Sequence, residues 1–147
     1  MWDIINREDL FPSILVSVRA PVEVFGKTDV KDNISFVGWH MPASVNPLKY
    51  AISVPTDDNI SRMISKAGNF VINFMGYEHK SIVLRAEQQD GSFVDLFDSL
   101  NLSKADSQLI ESPRIKQAKI FLECVVEQEL ESGDHTIFIG RVVRPRG

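Results

Sequence analysis

The run Ile120-Phe121-Leu122-Glu123-Cys124-Val125-Val126-Glu127, followed after a short interval by Thr136-Ile137-Phe138-Ile139-Gly140-Arg141-Val142-Val143, carries the clearest fold signal in the chain. Both segments are rich in β-branched and aromatic residues, which suit a pleated, half-buried surface. Between them stand Ser132-Gly133-Asp134-His135, residues that favour a reversal, so the pair reads as a β-hairpin. Outward from this hairpin, 13–18 is a short strand bracketed by Pro12 and Pro21. Residues 33–39 form a second, 50–54 alternate and stop at Pro55, and 70–74 form a fourth. Helical signals are fewer. Asp57-Asp58-Asn59 predict the start of a helix over 60–67, ended by Gly68, with Ile60, Met63, Ile64 and Ala67 on one face. Short helices are expected over 79–87 and 103–110, the latter stopped before Pro113. Strands outnumber helices without alternating with them, so the expected class is mostly β, a barrel or sandwich with a few packed helices.

The whole chain, 1–147, is expected to form a single domain. Hydrophobic residues make up 44% and charged residues 24%, enough apolar surface to offset the entropy of ordering. The net charge of −4 gives no general attraction to nucleic acid or to an anionic membrane. Cys124 is the single cysteine, which excludes an internal disulfide and a multi-cysteine metal site. The N-terminus lacks the basic start and apolar run of a signal peptide, and no stretch approaches a membrane-spanning length. A cytoplasmic location is therefore expected.

No GxGxxG, Walker, HExxH or GxSxG motif is present. His40, His79 and His135 have no histidine or cysteine partner at metal-ligand spacing, so no metal site is expected. Three segments remain as candidates, each with two readings. Residues 33–47 begin as a strand and turn into a stretch broken by Gly38, Pro42 and Pro47. They are either a plain strand and loop with Trp39 in the core, or a run of free backbone N–H groups beside Trp39 that holds a flat ring with polar edges. The helix start at 58–62 either caps itself or, through its unpaired N–H groups with Asn59, Ser61 and Arg62, receives a phosphate; Asp57 and Asp58 favour capping. Gly133-Asp134-His135 is either a plain turn or a turn that sets a histidine at the rim of a site. Cys124 reads as a buried, inert thiol, and Asn73 as an amide that satisfies buried backbone groups.

Taken in order, these segments resemble the flavin reductase-like family. The resemblance runs through Pro12-Ser13-Ile14-Leu15-Val16, Asn33-Ile34, Gly38-Trp39-His40-Met41-Pro42-Ala43-Ser44-Val45-Asn46-Pro47, Gly68-Asn69-Phe70-Val71-Ile72-Asn73, and Leu122-Glu123-Cys124 with Gly133-Asp134-His135-Thr136-Ile137-Phe138-Ile139-Gly140-Arg141-Val142. It implies a Greek-key split barrel of the FMN-binding type, acting as a homodimer with non-covalent FMN at the subunit interface. It places Val37, Gly38, Trp39, His40, Ala43 and Ser44 along the isoalloxazine and ribityl chain, and Asn59, Ser61 and Arg62 near the phosphate. His135 falls on the nicotinamide side as the candidate catalytic residue, with NADH or NADPH as electron donor. Trp2 is expected at the dimer contact. The implied activity is NAD(P)H-dependent reduction of FMN. The alternatives are a flavoredoxin-like electron-transfer protein served by a redox protein partner, and a flavin-free dimeric binding module on the same fold. Two positions depart from the family pattern. Leu48 stands where a second proline is common, and Ile60 where a threonine is common, leaving Asn59, Ser61 or backbone groups to donate to a phosphate.

Overall fold

The computed structural model describes residues 8–92 and 94–144. Seven antiparallel strands form one sheet. They are β1 (Ile14–Val24), β2 (Lys27–Val37), β3 (His40–Val45), β4 (Leu48–Pro55), β5 (Asn69–Phe74), β8 (Ile120–Ser132) and β9 (His135–Val142). Their order across the sheet is β2-β1-β5-β8-β9-β4-β3, so the chain crosses over rather than meandering. Two short strands, β6 (Lys104–Ala105) and β7 (Arg114–Ile115), pair on their own. Helix α1 is Asn59–Ala67, a 3₁₀ turn at Tyr77–His79 runs into α2 (Lys80–Ala86), and α3 is Leu96–Ser99. The architecture is therefore mostly β with short helices, and hydrogen bonds do not close the sheet into a barrel: β2 and β3 remain its edges.

Alternation along the strands divides the apolar residues between two cores. The interior holds Ile14, Val16 and Val18 of β1, Tyr50, Ile52 and Val54 of β4, Phe70 and Ile72 of β5, and Phe138 of β9, closed by Ile60, Met63 and Ile64 of α1. Side chains of opposite parity, Leu15, Ile34 and Met75, pack outside against α2, α3 and Ile115. Asn73 ties the two layers. Its amide donates to the Leu15 carbonyl and Ser17 Oγ, both at 2.9 Å, and its oxygen accepts from Ile115 N–H at 2.9 Å, as the sequence predicts for that amide.

Helix α1 and its Gly68 terminator match the expectation. Gly68 has φ +74°, and its N–H donates to Ile64 O, a left-handed cap that glycine adopts without a Cβ penalty. Other elements differ from it: β2 runs Lys27–Val37 where the sequence predicts a strand over 33–39, and His40–Val45, expected as irregular chain, pairs with β4 as a strand. Strand β1 runs past Pro21 to Val24; beyond Ser17 it pairs only with β2, and a proline is tolerated where one side of a strand has no partner. Strand β8 continues to Ser132, leaving a two-residue turn at Gly133-Asp134 in which Gly133 takes φ +61°. The helix expected over 103–110 does not form. The N–H groups of Gln108 and Leu109 donate to the buried Glu123 carboxylate at 3.0 and 2.8 Å, and Lys104–Ala105 pair as a strand, while the missed helix α3 is capped by Asp95. Trp2 lies outside the described residues.

Candidate functional site

Antiparallel pairing carries Trp39 and His135 to one end of the sheet. Pro55 at the end of β4 pairs with His135 at the start of β9, and Ser53 N–H donates to the Trp39 carbonyl at 2.9 Å. The indole and imidazole then stack face to face, ring centroids 4.5 Å apart with an interplanar angle of 25°. The same end receives the start of α1. Thr56 N–H donates to the Asp134 carbonyl at 2.9 Å, and the Thr56 and Thr136 hydroxyls lie 3.0 Å apart. Three segments far apart in sequence, at 39, 56–62 and 134–136, thus share one corner.

Asp134 Oδ1 accepts from His135 Nδ1 at 2.7 Å, which places a proton on Nδ1 and leaves Nε2 as the ring nitrogen not engaged by Asp134. That bond holds the Asp134 carboxyl below the usual range. Asp58 precedes α1 and makes no side-chain capping bond, and no acidic residue follows in the first turn. The helix therefore presents N–H groups without a side-chain cap, a position that favours an anion. Burial, helped by the like charge of Asp90, pushes the Asp58 carboxyl upward, the direction that favours its neutral form. Arg62 Nη1 donates to the Asp57 carbonyl at 2.9 Å, keeping a guanidinium at the helix start.

The other expected residues are placed differently. Val37 is buried in the interior core, so its side chain belongs to the fold and not to an open site. Gly38 is exposed beside the Phe36 ring. His40 spends both nitrogens on the fold. Nε2 donates to the Pro12 carbonyl at 2.7 Å, which leaves Nδ1 to accept from the Tyr50 hydroxyl at 2.8 Å. Burial pushes the His40 pKa down and that of Tyr50 up to about 12. Ala43 and Ser44 stand farther along β3, Ser44 roughly 16 Å from Trp39 at the usual strand rise. There the β3–β4 register shifts between Pro42 and Ser44, so Ala43 is skipped by the ladder and its backbone groups are left over on an edge strand. Ser61 is buried in α1, and the Asn59 amide lies 3.5 Å from Met63 Sδ. Asn59 also lines a cleft of about 710 Å³ along α1 with Met63, Val22, Val24 and Val30. No cluster of His, Cys, Asp and Glu that would hold a metal occurs among the described residues.

Sequence reasoning missed Thr56 and Thr136, which join the helix start to the histidine turn. Each is adjacent to a recognised element, Thr56 after Pro55 and Thr136 after His135, but only the strand pairing shows that they meet.

Comparison with known proteins bears on the family and the fold. The family model described as "Flavin reductase like domain" matches residues 15–146. An "Uncharacterized protein" of Archaeoglobus fulgidus is 28% identical over 113 residues, 77% of this chain and 64% of that protein, so the chain spans less than two thirds of that relative. Among solved structures, flavoredoxin of Desulfovibrio vulgaris (Miyazaki F) superposes with a TM-score of 0.79 at 22% identity, covering 92% of this chain and 68% of the other. The NADH:FAD oxidoreductase of Streptomyces globisporus C-1027 gives 0.73 at 21% identity, covering 91% and 75%. At these identities the structures establish a shared fold.

Proposed function

This chain belongs to the flavin reductase-like family, and from that premise we propose that it binds FMN non-covalently and reduces it with NADH or NADPH. The observation that carries this is the convergence of Trp39, the uncapped start of α1 and His135 at one corner of the sheet. These groups suit a flavin. An exposed indole offers a face for a flat ring, a helix start with Arg62 offers donors and positive charge to a phosphate, and the bulge at Ala43 leaves backbone donors for polar ring edges.

When bound, FMN supplies the hydride-accepting chemistry, while the protein supplies binding, orientation and electrostatics. The Ala43 backbone N–H, left out of the ladder at the bulge, would offset negative charge growing at a ring edge that reaches it during reduction. His135, its Nδ1 proton held by Asp134, presents Nε2 as the atom that accepts or returns a proton at the donor side. Asp134 is the positioning residue for that ring. No buried acid–base pair is needed, which agrees with the absence of catalytic motifs from the sequence.

The reading includes a homodimer. Trp39, just before edge strand β3, and Met41 within it lie opposite Ser53 and Ala51 on one face of the sheet and are among the large apolar side chains left open. A second copy would cover that pair and enclose the ring. One observation favours the electron-transfer alternative: the His135 side chain is only 21% exposed, so the donor side is largely shut as it stands.

The test is to load the purified chain with FMN, desalt it, and add NADH or NADPH without oxygen. Retained flavin absorption that bleaches with one nicotinamide supports the reductase and names the donor. Retained absorption that bleaches with neither supports electron transfer from a protein. No retained flavin, and no NAD(P)H oxidation with excess FMN, would refute the flavin reading. Within the same assay, His135→Ala should lower NAD(P)H oxidation more than FMN affinity; equal losses would remove His135 from the donor side.

A further inference from the structure

Trp39 and His135 arrive from opposite ends of the argument, one expected against the cofactor and the other on the donor side, yet their rings form a single stack 4.5 Å apart. The stack is unequal. Trp39 is 65% exposed, whereas the His135 side chain is 21% exposed, so the indole lies as a cover on the imidazole. The two rings are also anchored differently. His135 is pinned by Asp134 at Nδ1 and by the β4–β9 ladder through Pro55. Trp39 is held through its carbonyl by Ser53 N–H, so its side chain can turn without breaking the sheet.

We propose that Trp39 is a placeholder for the donor ring. The indole occupies the face of His135 that a nicotinamide must take, and it swings aside when the donor enters. This rests on the flavin reductase reading of the site. The exchange favours a flat ring, because the near-planar dihydronicotinamide can lie on the imidazole face that the indole gives up. An aromatic pair at this spacing sets the scale of the effect at about two- to tenfold in affinity.

The experiment compares Trp39→Ala and Trp39→Phe with the wild type at saturating FMN; the residue is exposed, so neither change empties a core. Trp39→Ala should lower the KM for NADH or NADPH about two- to tenfold, with Trp39→Phe between it and the wild type. An unchanged or raised KM in Trp39→Ala would overturn the proposal. A readout apart from activity is the Trp39 indole N–H resonance of the FMN-loaded protein. NAD⁺ or NADP⁺, which cannot react, should move it, and saturation with both without a shift would overturn the proposal. The underlying reading fails in a different way. If FMN stays bound but neither nicotinamide is oxidised, Trp39→Ala decides: turnover gained in the variant supports the cover, and continued silence refutes it. If no flavin binds, the site reading and the proposal fall together.

Discussion

His40 shows how one residue can be legible in type and not in use. The family resemblance puts it within the stretch expected along a flavin, but its partners, the Pro12 carbonyl and the Tyr50 hydroxyl, come from 28 and 10 residues away and no spacing rule connects them. Its pKa lies below the ordinary histidine value because burial disfavours the cation. The sign follows: the unfolded chain takes up a proton before the folded one, so this stabilisation is complete above about pH 6.5 and is lost as pH falls from there toward the folded value. Thermal melts from pH 7.5 to 5.5 should therefore drop more steeply for the wild type than for His40→Gln. Parallel curves would contradict the assignment. Asn73, by contrast, was readable as a buried amide among apolar neighbours. Asn73→Ala strands the Ile115 N–H and the Leu15 carbonyl and should cost on the order of 1–3 kcal/mol, measured by denaturant unfolding; a neutral change would mean that the layers are not tied there. Gly140 needs no special backbone angle. Its constraint is space, since an added Cβ would lie 2.7 Å from Cys124 Cβ and 3.0 Å from the Phe70 ring. Gly140→Ala should destabilise by about 1–3 kcal/mol through overpacking, and an unchanged melting temperature would show that the core gives way there.

At the scale of elements, local pattern succeeded where propensity and burial agreed. Strands β4, β5, β8 and β9 and helix α1 were legible because apolar alternation, proline and glycine marks and a 3.6-residue face all pointed the same way. The pattern failed at 103–110, where a helical spacing loses to Glu123. This carboxylate, 5% exposed, accepts the very N–H groups a helix would use. Removing it tests the explanation. Glu123→Ala should leave those two donors unmet, cost on the order of 1–3 kcal/mol, and raise amide exchange selectively at Gln108 and Leu109. Uniform exchange across the chain would point to a general loss of stability instead. At the site, each candidate segment was legible alone, and the Thr56–Thr136 and Trp39–His135 contacts were not. They depend on which strands are neighbours in the sheet, which local sequence does not specify.

For the whole molecule, the same topology that separates two cores gathers the candidate site at one corner and leaves Trp39 and Met41 exposed at edge strand β3. An edge strand is ordinarily guarded against pairing, and Pro42 and the bulge at Ala43 do that here. The exposed Trp39 and Met41, on one face of the sheet, are then left for a face-on contact, the role the proposed homodimer gives them. Light scattering should show a dimer for the wild type and a monomer for Met41→Glu, with FMN affinity falling alongside; a wild-type monomer that binds FMN tightly would refute the shared interface. The central claim, that residues 37–44, 58–62 and 134–136 make one flavin site, is tested most directly by mapping amide chemical shifts as FMN is added. The account predicts saturable shifts confined to those three segments and their immediate neighbours. Saturable shifts centred elsewhere, or none at millimolar FMN, would contradict it.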